Sequence, residues 1–298
     1  ENGVGELWSI FNFVLPGYLL SYSAFLRRYQ DGTDAEDLRR RISPFLMRRL
    51  KKEVLTELPD KIESVFTAQM SPEQAKVYEA TMMRLRQRVD SIVKEKGFER
   101  GRTEVLAAIT QLREICCHPS LVLDDYTGTS GKLDMLLDML PEAIAKGRRV
   151  LLFSAFTSML KILRRELDDA GYETMYLDGD TPAQRRVEMA EQFNAGQGQI
   201  FLISLKAGGT GLNLTGADMV IHYDPWWNPA AEDQATDRAY RIGQTRKVEV
   251  IRLVTHASIE EQVVALGQRK KALFDQLIKP GESMVGGLSP QEIMSLFQ

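Results

Sequence analysis

Residues 204–244 read SLKAGGTGLNLTGADMVIHYDPWWNPAAEDQATDRAYRIGQ, which places a glycine-rich loop, a short apolar strand and a polar-faced helix in direct succession. This order of elements is typical of α/β folds. We predict a helix over 230–242, with Ala235, Ala239 and Ile242 facing a sheet. The stretch therefore indicates the fold class, and it is also where function is to be sought.

One polar face of this predicted helix carries Gln234, Arg238 and Arg241, because residues at i, i+4 and i+7 share a face. Two guanidinium groups one turn apart repel each other unless an anion lies close to them. The planar donor fork of arginine fits phosphoryl oxygens, and arginines stabilise the charge that develops in phosphoryl transfer. The alternative is a solvated face on which the arginines pair with the acidic neighbours Glu232, Asp233 and Asp237.

From Arg149 onwards, short apolar segments alternate with amphipathic ones. We predict strands at 150–153, 174–177, 200–203, 219–223 and 248–254, and helices at 159–170, 182–194, 230–242 and 259–278. The alternation predicts an α/β fold with a doubly wound parallel sheet. Ligands of such sheets bind beyond the carboxyl ends of the strands. The loops expected at that edge are FSAFTS, LDGDTP, SLKAGGTGLN and DPWWNP.

The loop SLKAGGTGLN is the most glycine-rich of these, with Gly208, Gly209 and Gly211. Glycine lets backbone amides approach an anion closely, so the loop suits either a phosphodiester or a nucleotide. In DPWWNP, one of Trp226 and Trp227 is expected to pack in the core.

The first half of the chain is mainly helical. Residues 6–20 predict a short buried helix, and a strand is expected at 62–70. Ser71 is expected to cap a long helix, and an apolar-periodic stretch over 105–115 supplies a second one. The two helices predict a helical hairpin.

Residues 39–52 hold a basic cluster without an acidic residue: Arg39, Arg40, Arg41, Arg48, Arg49, Lys51 and Lys52. Such a cluster suits a phosphate backbone, and the alternative is a solvated helix face.

The pair Gly131-Lys132 suggests a phosphate-binding loop, but the required pattern is missing. Leu133 stands where Ser or Thr is needed, and Tyr126 stands where the first Gly is needed. We therefore predict that Lys132 is a structural residue that opens a helix. His118 is expected to be a cap or a packed residue, and the adjacent Cys116 and Cys117 are expected to be reduced, because neighbouring cysteines suit neither a disulfide with each other nor a zinc site.

The chain has 298 residues and a formal net charge of −3, so one large and one smaller domain are expected and any anionic partner must meet local basic clusters. No apolar run reaches membrane-spanning length, and the first residues, ENGVGELWSI, have no basic signal region. We therefore expect an intracellular protein. Because the sequence does not begin with Met, we expect it to lie inside a longer chain.

The sequence resembles the carboxyl-terminal ATPase lobe of Swi/Snf-type proteins, which are helicase-like superfamily-two double-stranded-DNA translocases. ISPFLMRRLKKEVLTELPDK is similar to the segment that joins the two lobes of that family, and LREICCHPSLV is similar to its helical insertion. The most specific match is 204–254, and the resemblance covers nearly the whole chain. It implies a RecA-like doubly wound parallel sheet with a helical insertion and flanking helices.

The same resemblance divides the chain into four parts. Residues 1–58 correspond to the end of the first lobe and the helices between the lobes, and 59–128 to a helical protrusion. Residues 129–279 correspond to the carboxyl-terminal RecA-like helicase lobe, and 280–298 to a linker and a terminal helix.

The resemblance also implies a nucleotide half-site. Gln234, Arg238 and Arg241 match the motif that completes the ATP site, with the two arginines acting as fingers on the γ-phosphate. Gly211 and Asn213 match loop positions near the nucleotide. Tyr240 stands where the family usually has His, a departure that leaves both arginines intact.

Other positions match the family's contacts with one DNA strand: Ser154, Thr157, Gly179, Thr181, Arg186, Ser204, Lys206 and Gly208. Trp227 and Asn228 match the element that links the DNA and nucleotide sites, and Arg48 and Arg49 lie in the basic cluster expected to add DNA contacts. Ala155 stands where the family often has Gln, which removes the side chain behind one expected contact.

Neither a phosphate-loop lysine motif nor an acidic Asp-Glu motif occurs in the sequence. The resemblance implies that both lie in a first RecA-like lobe of the same polypeptide, which would hold most of the ATP with its Mg²⁺. No metal site is expected in this chain, and alone it should hydrolyse ATP negligibly. The expected partners are double-stranded DNA, the first lobe and a DNA-bound protein, without a membrane. The expected location is the nucleus of a eukaryote, or the cytoplasm and nucleoid of a bacterium.

Two other functions stay open. The chain could be a non-catalytic module that binds nucleic acid or protein. It could also belong to a related RNA-unwinding helicase, although AGGTGLN and DPWWNP resemble the duplex-DNA group.

Overall fold

The computed structural model describes residues 4–29, 34–45, 58–207 and 211–277. Contacts divide these residues into two compact units, one made of 4–45 with 267–277 and the other made of 58–266. The linker and helix expected at 280–298 lie outside the described residues, as do Arg48, Arg49 and Gly208.

The smaller unit contains short helices around its own core. Its elements are α1 (Val4–Val14), α2 (Tyr22–Tyr29), α3 (Ala35–Ile42) and a 3₁₀ turn (Ser43–Phe45). Apolar side chains from these helices and from the turn after α1 form the core: Phe11, Leu19, Phe25, Tyr29, Leu38 and Ile42. The helix predicted to stop at Pro16-Gly17 is α1, which ends at Val14 just before the chain turns there, and Gly17 adopts a positive φ of 79°.

The larger unit is built on a six-stranded sheet in the described residues, with strand order β1-β6-β5-β2-β4-β3 and every pair parallel. The strands are β1 (Lys61–Ala68), β2 (Val150–Ser154), β3 (Thr174–Leu177), β4 (Ile200–Ser204), β5 (Met219–His222) and β6 (Val248–Thr255). The predicted parallel sheet is confirmed, and five of the strands lie where the alternation of apolar segments predicts them.

Helices cover both faces of this sheet. The larger unit contains α4 (Pro72–Lys96), α5 (Phe98–Cys117), α6 (Gly131–Ala145), α7 (Thr157–Asp169), α8 (Ala183–Asn194) and α9 (Pro229–Thr236). A further helix, α10 (Ile259–Leu277), begins in this unit, and its residues 267–277 are counted with the smaller one. Leu151 and Phe153 share a core cluster with α8 and α9, whereas Val150 and Leu152 share one with α6 and α7. Successive residues of a strand point to opposite faces, so the expected doubly wound arrangement is confirmed.

The segment 59–128, expected to form a helical protrusion, also contributes an edge strand to the sheet. β1 pairs in parallel with β6 over its whole length, from Lys61 opposite Val248 to Ala68 opposite Thr255. The remainder forms the predicted hairpin of α4 and α5, with Ser71 capping α4 through the amide of Gln74. The sequence predicts this strand but not its place in the sheet, because its pairing partner β6 lies far away in sequence.

The predicted structural role of Lys132 is confirmed. The side chain is fully buried at the start of α6, where its Nζ lies 2.7 Å from Glu260 Oε1 and donates to the carbonyl of Tyr223 at 2.9 Å. Burial of a charge is tolerated when it is paired and hydrogen-bonded. His118 is likewise a cap, since its Nδ1 accepts from the amide of Ser120 at 3.2 Å.

None of the helices that the structure describes is both long and apolar enough to cross a lipid bilayer.

Gly131 is required by a close backbone approach, which leads to a prediction. A Cβ at this position would lie 1.6 Å from the carbonyl oxygen of Gln69, and the amide of Gly131 donates to Gln74 Oε1 at 3.0 Å. Gly131→Ala should therefore lower the free energy of unfolding by about 2–3 kcal/mol, measured by urea denaturation. Gly179→Ala is the matched control, because an added Cβ meets no atom within 4 Å there. Equal stability of the two variants would contradict the steric argument.

Candidate functional site

The carboxyl ends of the parallel strands meet at one edge of the sheet. The segments that follow the strands there are 155–156 after β2, 178–182 after β3, 205–218 after β4 and 223–228 after β5. These segments contain eight of the seventeen residues expected to bind ligands, and Ser154, Thr157 and Ser204 directly adjoin them, so this edge is the candidate site.

The helix predicted over 230–242 is wrong beyond Thr236, where α9 ends. Beyond Thr236 the chain turns, and the backbone carbonyls there accept hydrogen bonds from other parts of the chain. Leu214 N donates to the carbonyl of Arg238 at 3.0 Å, and Gln244 Nε2 donates to that of Ala239 at 3.1 Å. As a result Gln234, Arg238 and Arg241 do not form one helical face.

Ile242, expected in the core, is 70% exposed, so its predicted place in the apolar stripe is wrong. The core of this region is formed instead by Tyr240, which packs together with Ala235 and Ala239.

Arg238 is the most unusual side chain of this turn. It is only 4% exposed, and its Nε and Nη1 are buried without a hydrogen-bond partner in the described structure. Burial lowers the pKa of the Arg238 guanidinium, and the charge of Arg241 lowers it further. A buried cation with unused donors is costly unless an anion is supplied from outside. The geometry therefore suits a phosphate.

The other residues of the predicted nucleotide half-site lie at the surface beside this turn. Arg241 is exposed, and its Nη1 donates to the carbonyl of Gly211 at 3.3 Å. Gln234 is exposed on α9. Asn213 is exposed as well, and its carbonyl accepts from Asn194 Nδ2 at 2.9 Å. The structure thus brings Arg241 to the glycine loop, and it leaves Gln234 on the preceding helix.

Ser154 and Ser204, both expected to contact DNA, are buried at the ends of β2 and β4. Ser154 Oγ donates a short hydrogen bond to Asp224 Oδ1 and accepts from the amide of Phe156 at 3.1 Å. The amide of Ala155 donates to both carboxylate oxygens of Asp224, at 3.2 and 3.1 Å. The hydroxyl of Ser154 thus supports the loop after β2.

Arg186, also expected at DNA, closes the loop after β3. Its Nε donates to the carbonyl of Thr181 at 2.7 Å, and its Nη2 donates to that of Gly179 at 2.9 Å. Nη1 reaches the carbonyl of Ala207, beyond the end of β4, at 3.4 Å. The guanidinium therefore fixes two neighbouring loops.

Thr157, Gly179 and Lys206 are exposed at this edge, and Thr181 is half-buried. Asn228 Oδ1 accepts from the amide of Ala230 at 3.0 Å and so caps α9. Gly208, Arg48 and Arg49 lie outside the described residues.

Sequence reasoning missed a network that fixes α9. Glu232 Oε1 accepts from the amide of Trp226 at 2.7 Å, and its Oε2 accepts from Arg252 Nε at 2.8 Å. Arg252 Nη1 also donates to Glu63 Oε2 at 2.8 Å. Although burial of Arg252 opposes it, these carboxylates raise the pKa of its guanidinium. The network joins α9, the DPWWNP loop, β6 and β1, and no sequence motif predicts it.

Within the described residues, no group of three or more His, Cys, Asp or Glu side chains is placed to hold a metal ion.

In comparisons with known proteins, two family models match parts of the chain. The model for the helicase conserved C-terminal domain matches residues 131–243, and the model for the SNF2-related domain matches residues 1–121. Among curated proteins, the chain is 39% identical to the putative ATP-dependent helicase/translocase YwqA of Bacillus subtilis over 312 residues. That alignment covers 100% of this chain and 33% of the relative, so the chain spans about a third of the length of that relative.

Solved structures agree with this result. The Sulfolobus solfataricus SWI2/SNF2 ATPase core in complex with dsDNA is 35% identical, with a TM-score of 0.63, over 93% of this chain and 60% of that one. The C-terminal domain of the Sulfolobus solfataricus SWI2/SNF2 ATPase is 30% identical, with a TM-score of 0.60, over 74% of this chain and 91% of that one. The sheet described above is thus the RecA-like sheet expected from the sequence.

His222 gives a prediction for pH dependence. It ends β5, stacks on Phe153 at 5.6 Å between ring centroids, and its Nε2 lies 3.0 Å from Thr236 Oγ1 at the end of α9. Burial, helped by the charge of Arg252, lowers the pKa of His222 from 6.5 to about 3. The unfolded chain therefore takes up a proton that the folded chain does not, between these two pH values. This contribution to stability is present above pH 6.5 and is lost as the pH falls towards 3.

The slope from this one group is about 1.4 kcal/mol per pH unit. In urea titrations across this pH window, the free energy of unfolding of His222→Gln should fall less steeply with falling pH than that of the wild type. The difference in slope should be at most about 1.4 kcal/mol per pH unit. Parallel curves for the two proteins would show that His222 is not neutral in the folded state.

Proposed function

The chain belongs to the SWI2/SNF2 family of helicase-like ATPases, and we propose that it is the second ATPase lobe of an ATP-dependent double-stranded-DNA translocase that remodels protein–DNA complexes. The observation that carries the proposal is the buried guanidinium of Arg238, whose Nε and Nη1 have no partner among the described residues. A relative of known structure is described as a core in complex with dsDNA.

The nucleotide half-site consists of Arg238 and Arg241, with Gln234, Gly211 and Asn213 close by in sequence or space. Arg238 offers two unused donors in a buried place, and Arg241 adds a second guanidinium at the surface next to Gly211. Both would hold the γ-phosphate of ATP and stabilise the charge that develops on it. ATP supplies the phosphoanhydride bond whose hydrolysis drives the cycle.

The other half of the site belongs to a first RecA-like lobe. The sequence has no GxxxxGK[ST] motif. The lysine of the Gly131-Lys132 pair forms a buried ion pair with Glu260. Since the described residues offer no cluster for a metal, Mg²⁺ would be held with the β-phosphate by the first lobe. Alone, this lobe should hydrolyse ATP negligibly.

Duplex DNA would lie along the sheet edge, in contact with Thr157, Gly179, Thr181 and Lys206. The two helices that begin at this edge after β2 and β3 support that placement. α7 and α8 have Phe156 and Pro182 at their N-cap positions, and neither helix has a side-chain cap. In contrast, Ser71, Ser130 and Asn228 cap α4, α6 and α9. Uncapped amides at helix starts bind phosphates well.

Other residues assigned to DNA by the resemblance act through the loops that they hold. Ser154 supports the loop after β2, Arg186 closes the loop after β3, and Asn228 caps α9. For Ser204, Trp227, Gly208, Arg48 and Arg49, contact with DNA is proposed from the resemblance. Opening and closing of the gap between the lobes would move these contacts stepwise along the duplex.

The organisation follows from the same proposal: residues 1–58 end the first lobe, 59–128 carry the helical insertion, 129–279 form the second lobe and 280–298 a linker and helix. The protein would act inside the cell, on DNA that carries a bound protein.

The decisive experiment measures ATP turnover by the complete protein, and by this chain mixed with a separately produced first lobe. We expect stimulation by duplex DNA and no turnover by this chain alone. Lack of turnover in both preparations would favour a non-catalytic binding module. Stimulation by single-stranded RNA and not by duplex DNA would favour an RNA helicase.

Arg241→Ala in the complete protein should lower ATP turnover by about 10³-fold or more, because the finger stabilises charge in the transition state. Binding of duplex DNA, measured by fluorescence anisotropy, should stay within about twofold. Arg246→Ala is the matched control. The Arg246 side chain is 64% exposed, and its Nη1 lies 3.5 Å from Asp218 Oδ2. Arg246 precedes β6 and so lies at the edge opposite the candidate site. A fall in turnover of less than tenfold for Arg241→Ala would refute the finger assignment.

Lys206→Ala should weaken binding of duplex DNA and reduce the slope of log K against log salt by about 0.9, which corresponds to one lost phosphate contact. Lys146→Ala is the control, since Lys146 follows α6, before the amino end of β2, and pairs with Glu142 at 2.5 Å. The measurement is anisotropy over a salt series. Identical slopes for both variants would remove Lys206 from the DNA contacts.

A further inference from the structure

Arg113 reaches from α5 of the helical hairpin to the loops that follow β2 and β5. Its side chain is 2% exposed. Nη2 donates to the carbonyl of Pro225 at 2.7 Å and lies 3.3 Å from Asp224 Oδ2. Arg113 and Asp224 are 111 residues apart in sequence. One side chain thus joins the hairpin to the DPWWNP loop.

Three aromatic rings surround the guanidinium of Arg113. Its central carbon lies 5.2 Å from the ring centroid of Phe156, 5.2 Å from that of Trp226 and 5.4 Å from that of Trp227. A cation within about 6 Å of a ring centroid is attracted by the ring, and more strongly when both are desolvated. The planar guanidinium therefore holds rings from both loops at once.

Asp224 extends this contact to the end of β2. Its carboxylate accepts from Ser154 Oγ and from the amide of Ala155. Its side chain is fully buried, with Arg113 as its ion-pair partner. If Arg113 were removed, the carboxylate would be left buried without a counter-ion, and the two loops would lose their common anchor.

We propose that Arg113 is a positioning residue for DNA binding: it holds segments 154–157 and 224–228 in one arrangement and links the helical hairpin to both. The proposal rests on the proposed function, since these segments are the ones expected to contact DNA.

A role limited to stability accounts less well for this arrangement. Well-packed apolar residues often stabilise a core as much as a buried ion pair does, and the Nε of Arg113 is buried without a partner in the described structure. What the guanidinium adds is geometry, since its fork and its flat faces fix a carboxylate, a carbonyl and three rings relative to one another.

The test uses the complete protein with Arg113→Met, Arg113→Lys and the double variant R113M/D224N, in which no charge is left unpaired. Arg149→Met is the matched control. Arg149 Nη2 also donates to carbonyls, those of Gln197 at 2.6 Å and Gly198 at 2.8 Å. Its guanidinium carbon lies 3.9 Å from the ring centroid of Phe193. Arg149, however, precedes β2 at the opposite edge of the sheet. Both arginines are thus buried or half-buried and hold loops, and they differ in which loops they hold.

The first measurement is ATP turnover against the concentration of duplex DNA. For Arg113→Met and the double variant we expect the DNA concentration at half-maximal stimulation to rise at least tenfold, while kcat at saturating DNA changes less than about threefold. Arg113→Lys, which keeps the charge and loses the planar fork, should lie between these variants and the wild type. Arg149→Met should leave the DNA dependence unchanged.

The second measurement is hydrogen exchange, which separates loop positioning from a general loss of stability. Peptides covering 154–157 and 224–228 should exchange faster in the Arg113 variants, whereas peptides covering 193–198 should exchange faster in Arg149→Met. If the Arg113 and Arg149 variants shift the DNA dependence equally, or if the Arg113 variants leave exchange at the two segments unchanged, the positioning role is refuted. If the wild type itself shows no stimulation by duplex DNA, the proposed function fails instead.

Discussion

The loops at the carboxyl edge of the sheet depend on buried ion pairs, because a buried charge is costly unless it is paired and hydrogen-bonded. Asp224 follows the end of β5 in a place without solvent, and Arg113 on α5 supplies its counter-charge. A short distance away, Lys132 at the start of α6 pairs with Glu260 at the start of α10. Removing one partner of such a pair leaves an uncompensated buried charge, which typically costs about 3–5 kcal/mol.

These pairs connect elements that apolar packing alone would not hold in register. Hydrophobic contacts are non-directional, so they place helices on the faces of the sheet without fixing their ends. An ion pair with hydrogen bonds fixes both distance and direction. Glu232 illustrates this, because one oxygen holds the amide of Trp226 and the other holds Arg252 on β6. Buried polar contacts therefore fix the positions of the loops at the sheet edge.

Much of the fold could be predicted from the sequence, because strand and helix periodicity is a local property. Short apolar runs such as 150–153 and 200–203 identify buried parallel strands, and glycine or proline marks their ends. The partner of β1 could not be predicted, since β6 lies far along the chain. The end of α9 was also missed: the helical pattern continues to Ile242, but Gln244 and Leu214, both from outside the helix, take the carbonyls that a helix would use. Arg113 reads as one more polar residue of a helix, because its partner Asp224 is distant in sequence.

Arg238 differs from the other buried arginines of the larger unit, and the difference connects fold with function. Arg113 has a carboxylate, a carbonyl and three rings, and Arg252, whose side chain is 16% exposed, has three carboxylates, those of Glu63, Glu232 and Asp233. Arg238 has two buried donor atoms without a partner in the described structure, and both its burial and the charge of Arg241 lower the pKa of its guanidinium. The described residues do not compensate that cost, so an anion from outside would stabilise this turn. An edge with unused buried donors at one turn, and firmly paired charges elsewhere, is what the proposed nucleotide half-site requires.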